Sequence, residues 1–289
     1  MSFKKFHQQF AFFDIQESIE FYSIFDGHPF LKYIKLDENL ETCIQLNIID
    51  RITELKPYFV YDEDVSFQND LESILIRLAI GDRKSYTVYK KANISQVRGR
   101  AIYKALFEKN IIKKEKSREK PIREFKGQLI KKSLRKYEIQ DKIHFSNNFT
   151  RFWFTFIAPH LYKSLHVDKI MQSIEQYISL TFEELSNELI IHKYGKQNII
   201  NFGSYWDKSI EIDLLIETKD GTIIAGETKW KNHKVCKNIL KTLQKKCERV
   251  ELGASKFVLC SKSGFSKELK SKKSDEIMLF ELKDFEELY

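Results

Sequence analysis

No apolar run in these 289 residues approaches the roughly 20 needed to span a bilayer, so no membrane partner is expected. The opening Met1-Ser2-Phe3-Lys4-Lys5-Phe6 has no long apolar stretch before a small-residue cleavage site, which argues against a secretory leader. Cysteine is sparse: Cys43, Cys236, Cys247 and Cys260 are scattered and form no Cys-x-x-Cys pair. That disfavours a disulfide framework or a zinc site, and a reducing cytoplasm is the expected compartment. His-Glu-x-x-His and Gly-x-Ser-x-Gly are both missing, and the seven histidines show no metal-ligand spacing. The nearest approach to a P-loop is Gly221-Thr222-Ile223-Ile224-Ala225-Gly226-Glu227-Thr228. It has glutamate where the phosphate-cradling lysine belongs and reads as part of a strand, so no nucleotide is expected to bind.

What is present is enough for packed cores: 42% of residues are hydrophobic and 13% aromatic. A chain of this length holds two or three modest domains. The net charge of +8 is unevenly spread. Residues 1–80 carry 7 basic and 14 acidic side chains, and residues 137–289 carry 23 and 22. Residues 81–136 carry 19 and 5, a balance of +14. So local a basic block points to a polyanion such as DNA, the bland alternative being a solvated lysine-rich face.

Apolar spacing divides the chain into a helical N-terminal region (1–66), a basic domain (67–140), a connector (141–167) and an α/β domain (168–289). In the basic domain, helices are expected over 67–81, Tyr86–Ala92 and Gln96–Lys109, the last capped by Asn93-Ile94-Ser95 with Val97, Ile102, Leu106 and Phe107 facing in. Gly99 is an interior cost to that helix. A charged tip (Lys113–Lys120) and a returning wing over Leu129–Ile139 complete a winged-helix DNA-binding pattern. Gln96, Arg98, Arg100 and Lys104 would face the DNA, with Lys113, Lys114 and Lys116 on phosphate. The connector Phe149-Thr150-Arg151-Phe152-Trp153-Phe154 is aromatic on all faces, which predicts burial rather than a base-stacking platform.

The α/β order is a helix over 168–191, strands 210–217 and 222–230, helix 234–251, strand 256–260, helix 265–271 and strand 276–282. Asp213 interrupts one apolar strand, and Glu227-Thr228-Lys229 leaves the next. Residues two apart share a strand face, so Glu227 and Lys229 point the same way, and a paired neighbour can bring Asp213 beside them. Carboxylates in such apolar strands cost free energy unless paired or metal-bound. Two carboxylates and an ammonium suit a hard cation, Mg2+ or Mn2+, with a lysine beside an attacked phosphate. Lys229 could instead simply neutralise the acids. A further acid is sought on the preceding helix, where Glu183 is preferred to Glu184.

These residues resemble the PD-(D/E)XK nuclease-like domain at the C-terminus of archaeal and bacterial AAA-type ATPases. The likeness runs through Phe21–Phe30, the Arg-Phe-Trp-Phe connector, Phe182-Glu183, Gly203-x-x-Trp206, Glu211-Ile212-Asp213, Gly226-Glu227-x-Lys229-Trp230, Leu243–Lys246 and Ser261–Phe265. It implies a restriction-endonuclease-like α/β domain. By it Asp213 and Glu227 would hold the metal, Lys229 would stabilise the pentacovalent phosphate and Glu183 would assist. The ATPase module has no counterpart in these 289 residues; Asp26-Gly27 replaces a Gly-Gly, and Asn147 or Asn148 stands for an aspartate. The expected function is metal-dependent hydrolysis of DNA. The alternatives are a non-catalytic DNA binder or regulator, and an interaction partner of a separately encoded ATPase. An oligomer is compatible with each.

Overall fold

A computed structural model describes residues 1–81, 83–119, 125, 127–132, 137–161 and 165–289, with the side chains of Ser85 and Tyr86 excepted. The chain forms two compact units. The first joins Met1–Lys114, Ile143–Glu184 and Leu282–Tyr289; the second joins Glu115–Lys142 and Leu185–Glu281.

The first unit is mostly helical. It opens with α1 (Phe3–Gln9), α2 (Ile15–Phe25), α3 (Leu40–Ile44) and α4 (Ile52–Leu55). Asp14 starts α2 with a capping box: its carboxylate accepts from Glu17 N, and the Glu17 side chain accepts from Asp14 N. After α2, Gly27 takes φ +85°, and a Cβ there would lie 2.6 Å from the Asn147 side chain. Only glycine suits both demands. Asn147 in turn caps α8 (Asn148–Phe152), accepting from Thr150 N at 2.8 Å. The connector is buried: Phe149, Phe152, Trp153 and Phe154 are all about 1% exposed or less. Its rings serve the core, and Phe59 stacks on Trp153 at 4.2 Å. Arg151 lies over Tyr177 of the long helix α9 (Val167–Tyr194) at 4.0 Å and donates to Thr181 Oγ1.

The basic segment begins with α5 (Val65–Ile80), α6 (Ser85–Lys91) and α7 (Gln96–Glu108), followed by β1 (Ile112–Glu115) and β2 (Lys142–Phe145), which pair as a two-stranded sheet. Ser95 caps α7 by accepting from Arg98 N. Three expectations change here. Val97 is 80% exposed, because the buried stripe runs through Gly99, Ile102, Tyr103 and Leu106 and Val97 falls nearly opposite it. Gly99 is a requirement of the packing rather than a defect: a Cβ would lie 2.5 Å from the Tyr89 ring. The returning strand is β2, not Leu129–Ile139. Residues 129–132 and 137–139 form no strand, and 133–136 lie outside the described residues. All four residues of β2 are buried, Ile143 and Phe145 with Lys142 and His144, whereas the described residues of the earlier stretch stay partly or fully exposed.

The second unit is a five-stranded mixed sheet in the order β3 (Ile199–Trp206), β4 (Glu211–Thr218), β5 (Ile223–Lys229), β6 (Lys256–Ser261) and β7 (Ile277–Glu281). β3, β4 and β5 are antiparallel neighbours; β5, β6 and β7 run parallel. The parallel steps need crossovers, supplied by α10 (Lys237–Arg249) and α11 (Lys267–Lys270). Leu240, Leu243 and Cys247 of α10 join Leu215, Ala225, Leu259 and Phe265 in the core. β3 was not expected as a strand, because Asn201, Gly203 and Ser204 break its apolar alternation. Its outer edge is covered rather than open: Ser204 N donates to Glu115, Arg118 N donates to Ser204 O, and Ser117 Oγ bonds both N and O of Trp206. The Trp206 indole N–H then donates to Gln140 O at 2.8 Å, fixing the returning chain. No helix among the described residues is long and apolar enough to cross a membrane.

Candidate functional site

The second unit brings Asp213, Glu227 and Lys229 together. Antiparallel pairing of Leu214 with Gly226 carries Asp213, one residue back, level with Glu227. Residues directly opposite share a face, and Lys229 follows two residues on. Its Nζ donates to Glu227 Oε1 at 2.6 Å. The other oxygen, Oε2, accepts at 2.7 Å from Lys246 Nζ, which arrives from the last turn of α10. The Glu227 side chain is 12% exposed, those of Lys229 and Lys246 about a quarter. Asp213 Oδ2 accepts from Thr228 N at 2.9 Å and from Thr228 Oγ1 at 3.3 Å. Asn187 Nδ2 of α9 donates to Asp213 O at 3.2 Å and ties that helix to β4.

The electrostatics are uneven. Burial, followed by the neighbouring Glu227 charge, pushes the Asp213 carboxyl up to about 6; Lys229, the Thr228 N–H and Lys246 pull the other way and lose. Such a carboxylate is held in a place that disfavours its charge. Relief would come from a cation or a proton. The donor chemistry fits a hard divalent ion, because two carboxylates converge at the strand ends and one has an oxygen with no hydrogen bond among the described residues. No group of three or more His, Cys, Asp or Glu gathers anywhere among the described residues. Asp213 and Glu227 are the carboxylates that the sheet itself brings together.

Glu183 lies in the part of α9 that belongs to the first unit, one turn before Asn187 and half-buried. Its neighbour Glu184 is engaged within that unit, 3.4 Å from His144 Nδ1 and 3.8 Å from Lys113 Nζ. Lys246, Thr228 and Asn187 were not picked out as site residues. Lys246 falls in the Leu243–Lys246 stretch of the likeness, which gave it no role; the fold shows that it is the α10 lysine that reaches Glu227. The Walker-like run occupies the β4–β5 turn and β5, and the next helix, α10, starts only at Lys237.

The basic residues divide. Gln96, Arg100 and Lys104 are exposed on one side of α7. Arg98 turns toward α5, pairing with Asp70 at 3.0 Å and lying 4.8 Å from the Phe67 ring centre. Lys113, Lys114 and Lys116 are exposed on and just after β1.

A family model described as archaeal and bacterial proteins of unknown function (DUF234) matches residues 153–242. The match spans the end of the connector, α9, β3, β4, β5 and the start of α10, and so includes Asp213, Glu227 and Lys229. No curated protein and no solved structure matches the chain.

Proposed function

We propose that this protein is a metal-dependent DNA nuclease: a PD-(D/E)XK-type domain carries the chemistry, and a basic winged helix built on α5–α7, β1 and β2 grips the duplex. One observation carries the reading. Asp213 and Glu227 converge on one sheet face with Asp213 held near a pKa of 6, and Lys229 and Lys246 flank them. Perturbed carboxylates beside fixed cations gather at catalytic sites more often than at structural ones. Asp213 and Glu227 would hold Mg2+ or Mn2+, which when bound supplies Lewis-acid charge and a water of lowered pKa. The chain's own contribution is orientation and charge. Thr228 fixes one oxygen of Asp213 and leaves the other available. Lys229, held on the same strand face, sets a positive charge where a phosphate would gain negative charge. Exposed Gln96, Arg100 and Lys104, with Lys113, Lys114 and Lys116, would contact the DNA backbone and groove.

A second reading has its own support. Both oxygens of Glu227 are already taken by lysines, as they would be in a nuclease fold that only binds DNA. One assay separates the two: Mg2+ and Mn2+ titrated over supercoiled, linear, branched and single-stranded DNA, with wild type, Asp213→Ala, Glu227→Ala and Lys229→Ala. The nuclease reading expects cutting by wild type alone, with DNA binding retained by all. Equal inertness on every substrate, with binding intact, replaces it with the non-catalytic one.

A further inference from the structure

Lys246 has no part in the chemistry assigned so far, yet it is as close to Glu227 as Lys229 is. It sits between buried Leu243 and Cys247, which fix α10 against the sheet. Only its stem and ammonium project to Glu227 Oε2, at 2.7 Å, with about a quarter of the side chain in solvent. Glu227 is its one hydrogen-bond partner among the described residues. The two lysines differ in what holds them. Lys229 leaves the same strand face as Glu227 two residues on, so its stem starts beside the carboxylate and a short displacement still leaves its ammonium close by. Lys246 hangs from a separate element on a flexible four-carbon stem and can swing away with no change in the backbone.

A hard divalent ion on Glu227 would meet two ammonium groups already there. Three positive groups on one carboxylate repel, and the mobile one withdraws. We propose that Lys246 is an exchangeable cation: it neutralises Glu227 in the ion-free protein, leaves when a divalent ion takes that carboxylate, and then faces the phosphate of the substrate. The last step rests on the nuclease reading; the exchange itself rests on the geometry of Glu227 alone. The consequence is a linkage. The worth of Lys246 to DNA binding depends on whether the ion is bound.

The test uses the full chain. Mn2+ alone is titrated into wild type, Lys246→Met, Lys246→Arg and Lys245→Met, with free Mn2+ followed by electron paramagnetic resonance. Lys245 is exposed and adjacent, so its removal deletes the same charge without deleting the bond to Glu227. Lys246→Met should tighten Mn2+ binding about tenfold, Lys245→Met by no more than about twofold, and Lys246→Arg not at all. Affinity for a DNA duplex is then measured in EDTA and in Ca2+. Lys246→Met should leave it unchanged in EDTA and weaken it about fivefold in Ca2+, where the wild-type ammonium is free to meet phosphate. Lys246→Gln stands in if the methionine variant does not fold. Equal Mn2+ shifts for the two positions, or the same DNA penalty in both buffers, overturns the exchange. If wild type cuts DNA while both Lys246 readouts stay flat, this inference fails alone. If wild type binds no Mn2+, the nuclease reading fails with it.

Discussion

Two carboxylates of this protein, one in each unit, are treated in opposite ways. In the helical unit, burial pushes Glu184 up, but the His144 ring nitrogen 3.4 Å away and the nearby Lys113 and Arg151 more than reverse it, and its carboxyl ends below the ordinary value. In the sheet unit, Asp213 also has cations nearby, yet burial and Glu227 prevail and it ends near 6. Burial works against the charge of both. The difference lies in matching. Glu184 has Lys113 and Arg151 beside it, and its contacts with Lys113 and His144 join α9 to β1 and β2. Asp213 must share its cations with Glu227, which takes both lysines for itself. A charge that is fully matched is structural; one left in excess is held at a cost that folding alone does not repay.

The largest contrast expected is in catalysis. Asp213→Asn should reduce DNA cleavage by about a thousandfold or more, which corresponds to roughly 4 kcal/mol of transition-state stabilisation. Glu184→Gln should stay within about threefold of wild type, because its partners belong to the helical unit. Initial rates under single-turnover conditions, with DNA affinity measured alongside, decide it. Comparable losses in both variants would erase the distinction between the two acids.

Stability should move the other way. A carboxyl with an ordinary pKa of 3.8 and a folded value of about 6 disfavours the folded state once ionised, by roughly 3 kcal/mol at 1.36 kcal/mol per pH unit. Partial solvent access reduces that to about 2 kcal/mol. The sign follows from proton counting. Below pH 3.8 the group is protonated in both states and costs nothing. As pH rises toward 6, the unfolded chain loses the proton first, and the folded protein pays increasingly for charge. Asp213→Asn should therefore stabilise the chelated protein by about 2 kcal/mol above pH 6, with the gain fading toward pH 4. Urea unfolding of both proteins across pH 4–8 measures it. A gain that is independent of pH would point to packing rather than to the buried charge.

Glu184→Gln should be milder and opposite in sign. The carboxyl's folded pKa is lowered, so its stabilisation is present at neutral pH and is lost as pH falls below the ordinary 4.5. The side chain is 40% exposed, so the loss in the same unfolding series should be under about 1 kcal/mol. A larger loss would mean that this pair is shielded from water far more than its exposure indicates.

How much of this is legible in the sequence depends on what each feature rests on. Helices α5, α7 and α9 and strands β4 and β5 announce themselves through local periodicity. So do Asp213 and Glu227, because a carboxylate in an isoleucine-rich strand stands out. The parity of Glu227 and Lys229 follows from the pleat alone. Features set by distant partners are silent. β3 owes its place to pairing with Leu215 and Ile216 rather than to its own alternation. Gly99 makes sense only once Tyr89 lies against it. The phase of α7 misled by one side: Val97 looks like a core residue and is 80% exposed, while Arg98, expected to face DNA, pairs with Asp70. Lys246 is one of several similar lysines until α10 is docked.

The same rule about matched charge extends to the cations, where the effects are smallest. Arg98 is matched: Asp70 is 3.0 Å from its Nε, and Phe67 lies beneath its guanidinium. Arg100 is exposed, and Lys104 pairs with Glu108 at 3.8 Å with side chains 78% and 65% exposed, too open to hold its ammonium. A cation contributes to DNA binding by releasing counterions from phosphate. Each such contact adds roughly 0.9 to the magnitude of the slope of log K against log salt. Arg100→Ala and Lys104→Ala should therefore each reduce that magnitude by about 0.9. Arg98→Ala should leave it unchanged, since bringing Arg98 to phosphate would strand Asp70. Its effect should be on the α5–α7 packing instead, under about 1 kcal/mol, because both partners are 38% exposed. Duplex binding at four or five salt concentrations for the three single variants resolves it. A drop of 0.9 with Arg98→Ala would show that the ion pair to Asp70 opens to meet DNA. The rule that partnered charges are structural would then fail in the helical unit while still holding for the acids.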